Sequence, residues 1–123
     1  MFLFFKLSIM TLETLLEQLN TSPESVTFQQ VMAVIESQYS YTPQTFTNGE
    51  LTNNAGENAG SCKIFSFAKL NNLTEEQTLH CFGDYYRVDV LQHPNGDDHQ
   101  NIRNFIKTGW AGVNFAKNAL EVK

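Results

Sequence analysis

The sequence predicts a mainly α-helical, compact single domain of about five helices with one short β-hairpin. Three observations carry that reading. Apolar residues recur at helical spacing over most of the chain. Two capping-box patterns, Thr27 with Gln30 and Thr74 with Gln77, mark helix starts. The only long stretch without helical periodicity, residues 44–60, holds Asn48-Gly49, a favoured dipeptide of tight type I′ hairpin turns.

The elements follow in order. Thr11 is placed to cap a first helix whose Leu12, Leu15, Leu16 and Leu19 form one apolar face. That face is able to pack within the domain or against a second copy. Ser22-Pro23-Glu24-Ser25 is a turn, with proline at a starting position. Thr27 opens a second helix over residues 27–40, with Phe28, Val31, Met32, Ile35 and Tyr39 at helical spacing. Thr45-Phe46-Thr47 and Glu50-Leu51-Thr52 flank the hairpin dipeptide, with Phe46 and Leu51 expected to face the helices. Asn53 to Gly60 is a loop rich in turn residues. Ser61 is the expected cap of a third helix bearing Ile64, Phe65, Phe67 and Ala68. Thr74 starts a fourth, with Leu79, Phe82, Tyr86 and Val90 on its inner stripe, stopping before His93-Pro94. Gly83 in mid-helix allows another backbone to approach, with the 53–60 loop the expected neighbour. Asp97 or Asp98 caps a fifth helix with Ile102, Phe105 and Ile106 inside, and Gly109 ends it. Trp110, Val113 and Phe115 fold back on the core, and the last residues fray.

Composition narrows the function. The chain has 123 residues, 41% hydrophobic and 17% charged, which is globular rather than disordered. A chain of this length buries about two-thirds of its unfolded surface. The formal charge of −5 argues against nucleic acid and anionic membrane as partners, since both need a basic face. The apolar run at residues 1–10 is too short to span a bilayer and lacks a basic lead and cleavage site. Residues 1–9 read as an extension before a domain at 10–123, with Met10 the expected start. Cys62 and Cys81 fall in apolar helical surroundings, as free cysteines of a reducing compartment do.

The chemistry-bearing residues lie between Asn58 and Trp110. Gly60-Ser61-Cys62-Lys63 at a helix start suits an anion, although the full phosphate-loop pattern is absent. Cys62 there is either a thiolate lowered by the helix terminus or an inert buried thiol. His80, Asp84 and Arg87 fall on one face of the fourth helix. That face is either a solvated one or a weak metal pattern, with no HExxH or HxH beside it, so neither metal nor cofactor is expected. Asp97, Asp98 and His99, with Arg103 one turn on, permit a general acid/base with an arginine anion clamp. The reading favoured for them is plainer: Asp98 caps the helix and Arg103 pairs with an aspartate. Tyr85, Tyr86 and Trp110 are core or pocket-wall residues whose polar tips need partners when buried. The expected binding pocket comprises Asn48, Asn58, Ser61, Lys63, Tyr86, Arg87, Asp98, His99 and Arg103.

Several runs resemble the HopJ type III effector family of bacteria. They are Phe46-Thr47-Asn48-Gly49, residues 53–68 (NNAGENAGSCKIFSFA), residues 78–87 (TLHCFGDYYR), Asp89-Val90-Leu91, residues 98–103 (DHQNIR) and Gly109-Trp110. The resemblance implies a small soluble bacterial domain, named for a protein that plant pathogens deliver through a type III system. It brings no catalytic residues to transfer. The bacterial cytoplasm is the expected compartment, and delivery to a host cell is implied by the family name alone.

Two functions are weighed. One is a binding module for a small anionic ligand or a protein partner, using a pocket between residues 46–61 and the starts of helices three and five. The other is a small hydrolase or lyase using His99 with Asp97 or Asp98, and Arg87 or Arg103 as the clamp.

Overall fold

The leucine stripe of the first helix packs within the domain. In the computed structural model, which describes residues 11–123, helix α1 runs Leu12–Thr21 and buries Leu15 and Leu19. The Thr11 side chain accepts the Thr14 amide at 3.1 Å, as its cap role requires. The extension expected at residues 1–9 and the start expected at Met10 lie outside the described residues. A 3₁₀ turn, Pro23–Ser25, leads to α2, Phe28–Gln38, which opens on the expected Thr27–Gln30 capping box.

From Tyr39 the chain leaves helical geometry. Strand β1, Tyr39–Tyr41, pairs antiparallel with β5, Leu120–Val122, so the C-terminal residues do not fray. Strands β2, Phe46–Asn48, and β3, Leu51–Asn53, form the hairpin. Asn48 faces Leu51 across it, so the two-residue loop is Gly49-Glu50, one position later than expected. Gly49 has φ +62° and Glu50 does not have positive φ, which is a type II′ pattern rather than type I′. Strand β4, Val113–Phe115, adds to the other edge of β2, giving the order β3-β2-β4. The domain is therefore mixed α/β, with small antiparallel sheets where the sequence predicted a mainly helical chain.

Helix α3, Ala59–Leu70, is the centre of the core, burying Cys62, Ile64, Phe65, Phe67 and Ala68. The Phe65 ring meets Phe46, Phe82, Phe105 and Trp110 at centroid distances of 5.0 to 6.4 Å. Helix α4, Glu75–His80, starts on the expected Thr74–Gln77 capping box but is short. The chain breaks at Gly83 and resumes as a π-helical segment, Tyr85–Val90, so the single long fourth helix is two pieces. The cause is a close approach. Gly83 has φ +60°, and a Cβ there would meet the Phe28 amide nitrogen at 2.7 Å. The neighbour is the start of α2, not the 53–60 loop.

Helix α5, Gln100–Thr108, buries Ile102 and Phe105 but leaves Ile106 exposed, against expectation. It ends at Gly109 with φ +58°, where the Glu75 carboxylate accepts the next amide, that of Trp110, at 3.1 Å. A 3₁₀ turn, Gly109–Gly112, joins it to β4. No helix among the described residues is long and apolar enough to cross a membrane.

Candidate functional site

Helices α3 and α5 begin in the same unusual way. Their cap residues, Asn58 and His99, both adopt left-handed geometry at φ 49°, ψ 50°. Asparagine and histidine tolerate that region better than most residues do. Neither cap side chain accepts a first-turn amide. The expected caps are thereby corrected: Ser61 sits inside α3 as its third residue, and Asp97 and Asp98 precede the cap of α5. In α5 the amides of Ile102 and Arg103 both donate to the His99 carbonyl, at 3.0 and 3.1 Å. The amides ahead of them have no partner within the helix.

A buried asparagine network ties the two starts together. Asn101 Nδ2 donates to Asn53 Oδ1 at 2.9 Å, and Asn53 Nδ2 returns a bond to Asn101 Oδ1 at 3.1 Å. Asn48 Nδ2 donates to the Asn101 carbonyl and side-chain oxygens at 2.8 and 3.1 Å. Asn58 Nδ2 completes the chain by donating to Asn53 Oδ1 at 2.7 Å. Asn104 Nδ2 donates to the Asn48 carbonyl at 3.1 Å. Asn48, Asn53 and Asn101 are 0%, 1% and 5% exposed, so these bonds replace those that water would make.

Above the network lies a cavity of about 450 Å³. Asn58, Gly60 and Ser61 line it from α3, and His99, Gln100 and Asn101 from α5. Phe28, Leu51, Phe82, Tyr85 and Ile102 make its apolar wall. The missing side chain of Gly60 leaves room for Phe28, whose ring would lie 3.1 Å from a Cβ there. Tyr85 is held between Phe28 and His99, at ring centroids of 5.1 and 5.2 Å. No aspartate, glutamate, lysine or arginine lines the cavity.

His99 is oriented by a residue that the sequence did not point to. Its Nε2 donates to Asp89 Oδ2 at 3.0 Å, while Asp98 Oδ2 stands farther off at 3.9 Å. A carboxylate only accepts, so Nε2 carries the proton in this bond. In neutral His99, Nδ1 is then the lone-pair nitrogen. Asp98 instead pairs with Arg103 at 2.6 Å, and that hydrogen bond holds its carboxyl below the ordinary range.

The remaining predicted residues do not join the cavity. Arg103 donates to the carbonyls of Asp98, His93 and Asp89 as well as to the Asp98 carboxylate. Arg87 donates to the carbonyls of Pro23, Val26 and His80 and meets His80 Nδ1 at 3.1 Å. Both guanidiniums thus fasten the backbone. Lys63 places its ammonium over the Tyr41 ring, 4.8 Å from the centroid. Tyr86 packs edge-on against His80. Asp84 is exposed, and the helix break separates it from the spacing that suggested a metal. No group of metal-ligating side chains is found among the described residues. Cys62 and Cys81 are free and buried, and burial pushes the Cys81 thiol up to about 12.

Of the nine expected pocket residues, Asn58, Ser61 and His99 line the cavity, and Asn48 supports it from below. Tyr85, expected as a core or pocket-wall residue, does line the cavity, whereas Phe28, Leu51, Phe82 and Ile102 of its wall and the His99 partner Asp89 were not among the expected pocket residues.

The fold and the cavity define a small mixed α/β domain organised around two helix starts. The family model described as HopJ type III effector protein matches residues 12–120, and the chain belongs to that family. It is similar to a solved crystal structure of a protein of unknown function, VPA0580. That likeness has 55% sequence identity and a TM-score of 0.91, and covers 93% of this chain and 95% of the other. No curated protein matches the chain.

Proposed function

We propose that this protein is a ligand-binding module that holds a small anionic molecule between the starts of α3 and α5. One observation carries the reading: two helix starts without side-chain caps, and His99, converge on one concave site. Helix starts favour negative charge through free amides and the helix dipole. The cavity falls within the range of roughly 300–1,000 Å³ typical of small-molecule sites. Two non-glycine residues held in left-handed geometry at its rim are a pattern met at functional sites. We place the binding in the bacterial cytoplasm, where two buried free thiols are stable.

The test is a melting-temperature screen with small carboxylates and phosphates. A ligand at 100 times its dissociation constant adds about 2.7 kcal/mol of stability. His99→Asn keeps a residue that tolerates the left-handed cap and removes the imidazole. The shift is expected to shrink in His99→Asn and to persist in Lys63→Ala. No shift with any acid contradicts the small-molecule reading and favours a protein partner.

A second reading, a small hydrolase or lyase, is favoured by the His99–Asp89 pair, which resembles the base and its orienter in general-base sites. With both arginines engaged elsewhere, the helix starts would take the part of the clamp. Turnover of nitrophenyl esters or phosphates that Asp89→Asn abolishes supports it, and rates equal to buffer contradict it.

A further inference from the structure

The geometry points to an aryl acid, a molecule with a flat aromatic ring joined to a carboxylate or phosphate, as the occupant of this cavity. The inference rests on the anion reading above and adds the body of the ligand to its head. Three observations carry it.

The first is volume. A cavity of about 150 Å³ holds one benzene ring, and this one measures about 450 Å³. A lone phosphate or carboxylate leaves most of it to water against an apolar wall, whereas a ring carrying an acidic group takes up far more of it and covers that wall.

The second is the wall. Phe28 stands edge-on to Tyr85 at 74°, and Tyr85 is tilted 37° from the His99 ring. Tyr85 is 41% exposed although it bounds the cavity, while Phe82 and Ile102, which also line it, are 3% and 2% exposed. The ring therefore offers an open surface over a closed apolar floor. An aromatic ligand meets that surface at the centroid spacing of about 4.5–7 Å that aromatic pairs prefer.

The third is charge. No lysine or arginine lines the cavity. Amide donors and one imidazole are a weak hold on a small hydrated anion, so burial of an apolar body must supply the rest of the affinity.

The experiment is isothermal titration of the full chain with four probes: phenyl phosphate, benzoate, inorganic phosphate and benzyl alcohol. Phenyl phosphate or benzoate is expected to bind at least tenfold tighter than both inorganic phosphate and benzyl alcohol. Tyr85→Leu, a change at a half-exposed position, is expected to erase most of that advantage by weakening the aryl acids far more than inorganic phosphate. Inorganic phosphate binding as tightly as both aryl acids overturns the aryl assignment and leaves the anion reading standing. Benzyl alcohol binding as tightly as the aryl acids overturns the anion reading and the aryl acid with it. No heat from any probe overturns both.

Discussion

At the scale of single residues, asparagine does the organising. An asparagine amide presents two donors and one acceptor oxygen with two lone pairs, so it can join several backbones at once. Asn101 does this for β2, β3 and the start of α5. Asn101→Ala leaves the buried amide groups of Asn48 and Asn53 short of partners, each costing about 1–3 kcal/mol. The expected result is a loss of about 2–4 kcal/mol in urea unfolding, with the far-ultraviolet spectrum kept. A loss below about 0.5 kcal/mol contradicts the network's role. This scale was the least legible in sequence. Asn48 and Asn58 stood out as turn residues, but their inward direction depends on partners 53 and 5 positions away. Arg103 reads in sequence either as an anion clamp or as the partner of an aspartate, and it does pair with Asp98; Arg87 reads as a clamp or as half of a pair on its own helix. Nothing local announced that carbonyls of Pro23 and His93 would receive them.

At the scale of elements, sequence signals held where the physics is local. Both capping boxes and the Thr11 cap formed as read, because each needs only residues three apart. Elements that depend on distant partners were misread. Tyr39 falls at helical spacing and the second helix was expected to reach residue 40, yet Tyr39–Tyr41 is a strand because Leu120–Val122 pairs with it. The fourth helix breaks because Gly83 yields to the backbone of Phe28. Gly83→Ala tests that cause. A Cβ 2.7 Å from a backbone nitrogen forces a shift, and the positive φ adds about 1–2 kcal/mol. The expected destabilisation is about 2–4 kcal/mol in urea unfolding. A neutral effect would mean that the two backbones are not in contact.

At the scale of the whole molecule, the ionisable groups predict a dome of stability around neutral pH. Burial and then the Arg87 guanidinium lower His80 below 6.5, and Arg103 lowers Asp98 below 3.8. Both are depressed on folding, so the unfolded chain binds more protons and stability falls as pH drops. The His80 contribution begins to fade below its unfolded value of 6.5, and that of Asp98 below 3.8. Cys81 is raised from 9.0 to about 12, so its contribution is lost as pH rises between those values. Urea midpoints across the pH range are expected to fall on both sides. Asp98→Asn should flatten the most acidic part and Cys81→Ala the alkaline part. Unchanged limbs in both variants contradict these assignments.

The overall architecture was legible to the extent that apolar periodicity reaches. The five α-helical positions, the hairpin and the returning C-terminal segment were visible, but the pairing that makes two sheets was not. The loop at residues 53–60 turns Asn53 into the core, whereas ahead of α5 Asp97 and Asp98 stay exposed and His99 turns toward the cavity.

The central claim is that the starts of α3 and α5 form one anion site. The most direct measurement follows backbone amide shifts of the isotope-labelled chain as benzoate or inorganic phosphate is added. The account predicts saturable shifts grouped at residues 58–61 and 99–101 in a single titration with one affinity. Shifts gathered instead around Lys63 or Lys107, or the two helix starts responding with different affinities, would contradict it.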